Sequence, residues 1–159
     1  MMEEPAVYTI PPLDYAPKLH VASCCCTYEG RFLLLQNAEH KTFAGTWGAP
    51  GGKIEPDETP YAAALRETFE ETGLKLDPEA VHFFKTFYVR YPTMDFTYHL
   101  FFTELSTPPQ EITLQTKEHS AYLWASREEI VKLPLIPGAY VCFAALYGDP
   151  LQFGPERNE

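Results

Sequence analysis

The sequence predicts an α/β domain, with several extended strands, one long helix and two shorter helices. Three observations predict this class. Apolar or alternating runs recur at 18–28, 31–36, 81–91, 96–105 and 119–124, separated by Gly, Pro and Asp. A helix-compatible run opens at Thr59-Pro60 and stops at Gly73. Within that run Glu67, Glu70 and Glu71 fall at i, i+3 and i+4, on one side of a helical turn.

The elements follow in order. Residues 1–17 are broken by acids and prolines and read as an irregular arm. Residues 18–28 (KLHVASCCCTY) form a strand, Glu29-Gly30 a turn, and 31–36 its antiparallel partner. A polar loop spans 37–46, and a short strand at 47–49 leads into Pro50-Gly51-Gly52. Thr59 suits an N-cap, Pro60 the first helical position and Gly73 the left-handed position past the end. Tyr61, Leu65, Thr68 and Phe69 are expected to share the core-facing stripe, with the glutamates opposite. Strands at 81–91 and 96–105 flank a turn at 92–95, and a loop covers 106–116. A strand at 119–124 precedes a short helix capped by Ser126, and a final helix covers about 137–146. The expected organisation is one domain over 18–147, with an irregular arm at 1–17 and an irregular tail at 148–159.

Composition narrows the function. The 159 residues carry a formal net charge of −10. Tracking a phosphate backbone needs clustered Lys and Arg, and none is clustered here, so a nucleic acid polymer is not the expected partner. No apolar run reaches membrane-spanning length, and the first residues lack a secretory pattern, so the expected location is cytoplasmic. Cys24, Cys25 and Cys26 are consecutive in a strand, with Cys142 distant, which is no zinc spacing. They are expected to be buried, reduced and apolar in behaviour, with Cys24 and Cys26 facing one way and Cys25 the other.

Stacking carboxylates on one helix turn costs Coulomb energy. A divalent cation offsets that cost, and hard cations such as Mg²⁺ prefer oxygen ligands and phosphate company. The bland account is a solvated acidic helix. The full spacing of Gly52, Glu58, Arg66, Glu67, Glu70, Glu71 and Gly73 counts against it. At roughly one in fifteen per position, such a match arises by chance in about one chain in a million.

At these residues the chain resembles the Nudix hydrolases of the MutT-like type. Their signature is matched from Gly52 to Leu74, with Thr68 standing where an aliphatic residue is usual. Trp47, Pro50, Gly51, Gly52, Lys53 and Glu55 resemble the approach to that signature. The resemblance implies an α/β/α sandwich in which a mixed sheet, with antiparallel strands prominent, carries the signature helix. It implies hydrolysis of a nucleoside diphosphate linked to another group, with Mg²⁺ as cofactor and Mn²⁺ as a substitute.

Under that resemblance Glu67, Glu70 and Glu71 are metal ligands and catalytic groups, with Gly52 a further ligand through its backbone. Arg66 orients the carboxylates, and Glu58 holds metal through water or pairs with Arg66. Glu118 is the candidate outside ligand or general base, and Glu111 its runner-up. Gly51, Gly52 and Lys53 are expected at the substrate, since glycine lets backbone approach phosphate. Arg90 and Tyr91 are further substrate candidates, Tyr88 lies beside them, and strand packing is an equally simple account of all three. His99 and His119 fit structural roles better than chemical ones.

The approach segment favours a nucleoside triphosphate or related nucleotide. The stretch LPLIPGAYVCF holds no Asn or Asp, which argues against recognition of an oxidised guanine. An ADP-ribose or dinucleoside polyphosphate substrate is the alternative within the enzyme class. A catalytically weak nucleotide-binding regulator is the alternative outside it. The assembly is expected to be a monomer or homodimer.

Overall fold

The computed structural model describes residues 4–148. Its strands are β1 (Ala6–Tyr8), β2 (Pro17–Tyr28), β3 (Arg31–Asn37), β4 (Trp47–Gly48), β5 (Gly51–Lys53), β6 (His82–Arg90), β7 (Asp95–Glu104) and β8 (His119–Ala125). Its helices are α1 (Pro60–Thr72), α2 (Arg127–Ile130) and α3 (Ala139–Tyr147), with a 3₁₀ turn at Pro78–Ala80.

The strands form one sheet in the order β1-β6-β7-β2-β3-β4, with β5 added to β2 and β8 to β3. The sheet is mixed because β2 runs parallel to β7 while the other ladders are antiparallel. On its other side β2 pairs with β5 at Val21–Ser23 and with β3 only at Thr27–Tyr28. The sheet therefore opens between those two contacts, and the Gly51–Lys53 segment fills the gap.

Side-chain alternation along β2 builds two cores. Ala22, Cys24 and Cys26 face Ala63 and Ala64 of α1. Cys25 faces the opposite layer, with Val7, Phe87, Cys142 and Phe143 of α3. Period-two alternation is what allows one strand to serve both layers of an α/β/α sandwich. The four cysteines are free and buried, and burial pushes the Cys25 and Cys142 thiols well above their ordinary range.

Helix α1 has the ends the sequence signals. Thr59 accepts the Ala62 N–H through its hydroxyl, and Gly73 takes φ 78° with its N–H on the Phe69 carbonyl. Its buried face differs from the expectation. Ala63, Ala64, Thr68, Glu71 and Thr72 are buried, whereas Phe69 is 54% exposed. Small residues let the helix lie close to β2, and this rotation turns Glu71 inward toward β5.

Two further corrections concern strands. The arm expected to be irregular contains β1, which pairs with β6 at Ala6↔Arg90, Val7↔Val89 and Tyr8↔Tyr88. Three residues give too short a pattern to read, and their partners lie about eighty positions away. Pro17 already belongs to β2. The glycine entry, read as a close-approach segment with no element assigned, is itself strand β5. The tail beyond Gly148 lies outside the described residues.

Candidate functional site

The site starts from the β5–β2 ladder, where Gly51 opposes Ser23 and Gly52 opposes Ala22. A Cβ on Gly51 would stand 2.6 Å from the Ala22 carbonyl oxygen, and one on Gly52 would stand 2.5 Å from Cδ of Glu67. Both positions need glycine because backbone and carboxylate come that close. Glu71 reaches across to accept the Gly51 N–H at 2.9 Å.

Arg66 gathers the remaining acids. It donates to Glu58 at 2.7 and 2.9 Å, to Glu67 at 2.9 Å, to Glu70 at 3.1 Å and to the Lys53 carbonyl at 3.1 Å. The planar guanidinium provides five N–H donors in a fixed fork, which suits it to several acceptors at once. Its pairing with Glu58 holds that carboxyl down at about 2. Glu58 thus makes the ion pair with Arg66. The Lys53 side chain is exposed.

Glu67 and Glu71 are perturbed in the opposite direction. Burial raises Glu67 against the pull of Arg66. Burial also pushes Glu71 up to about 8, opposed by the Gly51 N–H. Glu118 and Lys41 act on Glu71 through their charges, which brings two loops to the same place. Lys41 Nζ binds Glu118 at 2.9 Å and lowers its carboxyl below the ordinary range. The adjacent His119 is buried, its Nδ1 has no hydrogen-bond partner among the described residues, and burial lowers it to about 4.

Among the described residues no three His, Cys, Asp or Glu side chains converge at metal-ligand spacing, and Glu58, Glu67 and Glu70 are each turned onto Arg66. The donor set nonetheless suits a hard cation. Glu71 is a buried carboxylate with a single backbone donor, so it lacks the positive partner that a divalent ion supplies. Beside it, the Glu67 carboxylate lies against the Gly52 backbone, and Glu70 shares Arg66 with Glu67.

Behind Gly51 the sheet opens into a cavity of about 250 Å³. Tyr91 stacks between Phe43 and Phe96, with centroids 5.9 and 5.6 Å away. Tyr98 and Ser23 line the far wall, and Ile136 to Ala139 form the rim. Tyr91 therefore lies at the cavity, with its hydroxyl donated to the Pro137 carbonyl at 2.9 Å.

Arg90, expected at the substrate, is placed elsewhere: its guanidinium pairs with Asp95 at 2.8 and 3.0 Å and with Asp14 at 3.1 Å. Alternation along β6 points it away from the face that carries Val89. Tyr88 packs edge-on against Tyr15, and His99 meets Thr86 and His20. Glu111 is exposed, with no hydrogen bond or ion pair among the described residues, and its neighbour Thr113 donates its N–H to the Thr72 carbonyl at the end of α1. Lys41, Phe43 and Ser23 escaped sequence reasoning. A loop lysine and a loop phenylalanine carry no spacing signal, and Ser23 sits in a strand that reads as core.

Comparison with known proteins gives the family. The NUDIX domain sequence model matches residues 18–146. The CTP pyrophosphohydrolase of Escherichia coli (strain K12) is 31% identical over 120 residues, covering 75% of this chain and 84% of that protein. Phosphatase NudJ of Shigella boydii serotype 4 (strain Sb227) is 32% identical over 152 residues, covering 89% of this chain and 94% of that protein. The crystal structure of a MutT protein from Methanosarcina mazei Go1 superposes with a TM-score of 0.63 at 27% identity, over 86% of this chain and 96% of that one. Nudix proteins generally use divalent metal ions. With the glycine entry, the acidic helix and this likeness together, the chain belongs to the Nudix hydrolase family and is a pyrophosphohydrolase.

Proposed function

We propose that the chain is a Mg²⁺-dependent pyrophosphohydrolase of nucleoside triphosphates or related nucleotides. The observation that carries this reading is the double role of Gly51. It lines the aromatic cavity, and its N–H holds Glu71 of the acidic cluster. A flat base fits against the aromatic wall, and its phosphates then extend over the glycine backbone toward the carboxylates. The Escherichia coli relative is a CTP pyrophosphohydrolase, which supports the same substrate class.

The reaction attaches a water oxygen to phosphorus and breaks a phosphoanhydride P–O bond, and the water proton passes to a carboxylate. Glu118 is our candidate acceptor. Lys41 keeps it ionised at neutral pH, so it is in the form that takes a proton. Glu67, Glu70, Glu71 and the Gly52 backbone would hold the metal, which neutralises phosphate charge and lowers the pKa of bound water. Arg66 keeps Glu67 and Glu70 in one orientation and prevents their mutual repulsion from splaying the site.

Phosphate release with Mg²⁺ across nucleoside triphosphates, ADP-ribose, nucleotide sugars and dinucleoside polyphosphates tests the reading. We expect the triphosphates to turn over fastest. Faster turnover of ADP-ribose or a dinucleoside polyphosphate would move the substrate within the enzyme class. Binding without release from any member would leave a nucleotide-binding regulator.

A further inference from the structure

Glu4 has no part in the acidic cluster, and it lies far from that cluster in sequence. It is nonetheless held at the cavity rim. Its Oε1 accepts the Gly138 N–H at 3.0 Å, and Gly138 lines the cavity. The segment carrying it is fixed on both sides. Pro5 Cγ stands 3.1 Å from where a Gly138 Cβ would lie, and Val7 is buried at 1% exposure in the α3 core. Strand β1 then locks the chain to β6, whose Val89 also lines the cavity. Among the described residues the second carboxylate oxygen has no hydrogen-bond partner.

The rest of the cavity has little with which to tell one ring from another. Its walls are aromatic or aliphatic, and the Tyr91 hydroxyl is already donated to the Pro137 carbonyl. Tyr98 and Ser23 bond to each other at the far wall. The charge of Glu4 is felt at Tyr91, whose hydroxyl it helps to raise after burial, so carboxylate and aromatic wall are near neighbours. A fixed acceptor with a negative charge favours a ring edge that carries N–H donors and disfavours one that carries a carbonyl.

We propose that Glu4 is a specificity-determining residue, its carboxylate selecting bases with an exocyclic amino group over bases with a carbonyl at the same place. This rests on the cavity being the nucleotide site. The second oxygen accepts the amino N–H while the first stays on Gly138, so one side chain both closes the rim and reads the base. Glu4 is an exposed residue, so it rejects the wrong ring by setting carboxylate against ring carbonyl, two acceptors with no donor between them.

Cytidine and uridine monophosphates differ at that edge and make the test independent of turnover. Their dissociation constants are measured by titration calorimetry on the full chain and on Glu4→Gln and Glu4→Ala. The wild-type chain is expected to bind the cytidine form about ten-fold or more tightly over the uridine form. Glu4→Gln keeps an acceptor for Gly138 and is expected to lose most of that ratio, and Glu4→Ala to lose it as well. A ratio unchanged in both variants overturns the proposal, as does a wild-type preference for uridine or binding of neither nucleotide. Thermal melts of Glu4→Gln separate lost selectivity from a lost β1. A wild-type chain that selects cytidine yet releases no phosphate from any nucleotide sinks the hydrolase reading and leaves the role of Glu4 standing.

Discussion

The Glu71 carboxylate accepts the Gly51 N–H at 2.9 Å, which ties helix α1 to the floor of the aromatic cavity. The bond spans two layers of chemistry, because Gly51 belongs to the base-sized cavity and Glu71 to the acidic cluster. Glu71→Gln keeps an oxygen for the Gly51 N–H and removes the charge. Turnover is expected to fall on the order of 10²-fold or more, with the melting temperature of the metal-free chain little changed, since burial already favours the neutral form of Glu71. Steady-state kinetics alongside a thermal melt decide it, and full activity would sink the assigned role. Glu70→Gln is expected to behave alike in turnover, because Glu70 is a carboxylate of the same cluster, held there by Arg66.

The two glycines should fail in different ways. The three atoms nearest to a Cβ on Gly52 all belong to the Glu67 carboxylate, so relieving the clash displaces the end of a side chain from Arg66 and not the backbone. Gly52→Ala is therefore expected to lose most of its activity and little of its stability. A Cβ on Gly51 meets the Ala22 carbonyl at 2.6 Å and the Ser23 Cα at 2.8 Å, which are backbone atoms of the central strand. Gly51→Ala is expected to lose about 1–3 kcal/mol of stability as well. Denaturant melts of the pair read the contrast, and equal midpoints would contradict it.

Helix α1 was legible because its signals are local. A cap, a proline, a terminal glycine and the glutamate spacing all lie within two dozen residues. Its rotation was not legible, since Phe69 is the larger apolar residue but Ala64 and Thr68 are what fit against β2. Strand β1 was missed because its partner β6 is distant, and β5 because two glycines in three residues carry no strand propensity. The cavity was missed for another reason. Val21, Val89 and Phe96 alternate as core residues do, and only the third dimension shows that their face is partly empty. Glu4 and Gly138 meet across 134 positions, beyond any spacing argument.

Arg66→Lys replaces a fork by a point charge. A single ammonium cannot reproduce the five contacts to Glu58, Glu67, Glu70 and the Lys53 carbonyl. Supporting residues around metal ligands typically contribute 10- to 100-fold, so kcat/KM is expected to fall by about that factor. The apparent Mg²⁺ requirement should rise with it. Unaltered metal dependence would show that Arg66 does not set the carboxylates.

His99 predicts an acid-side loss of stability outside the active site. Burial, helped by the charge of His20, lowers its pKa from 6.5 in the folded chain. The unfolded chain then binds the proton more readily. Stability is present above pH 6.5 and is lost as pH falls from there toward the folded value. His99→Gln removes the titration, so the melting difference between wild type and variant should shrink in favour of the variant between pH 7 and pH 5. A difference that stays constant over that range would rule out His99 as the source.

Thr68 is the one departure from the family signature, and its burial makes it costly. The side chain is fully buried between α1 and the sheet, and its hydroxyl has no hydrogen-bond partner among the described residues. The neighbouring Thr72 hydroxyl donates to the Thr68 carbonyl, which uses the backbone and leaves the Thr68 side chain unaided. Thr68→Val keeps the β-branched shape, removes the unpaired hydroxyl and leaves that carbonyl in place. Leaving a buried polar group unsatisfied costs about 1–3 kcal/mol, so the variant is expected to gain about 1 kcal/mol. In a chain of this size that raises the melting temperature by about 2–4 °C. Activity should be retained, because Thr68 points into the core and not toward Gly51. Scanning calorimetry reads the shift, and a lower melting temperature for Thr68→Val would mean that the hydroxyl is satisfied in solution.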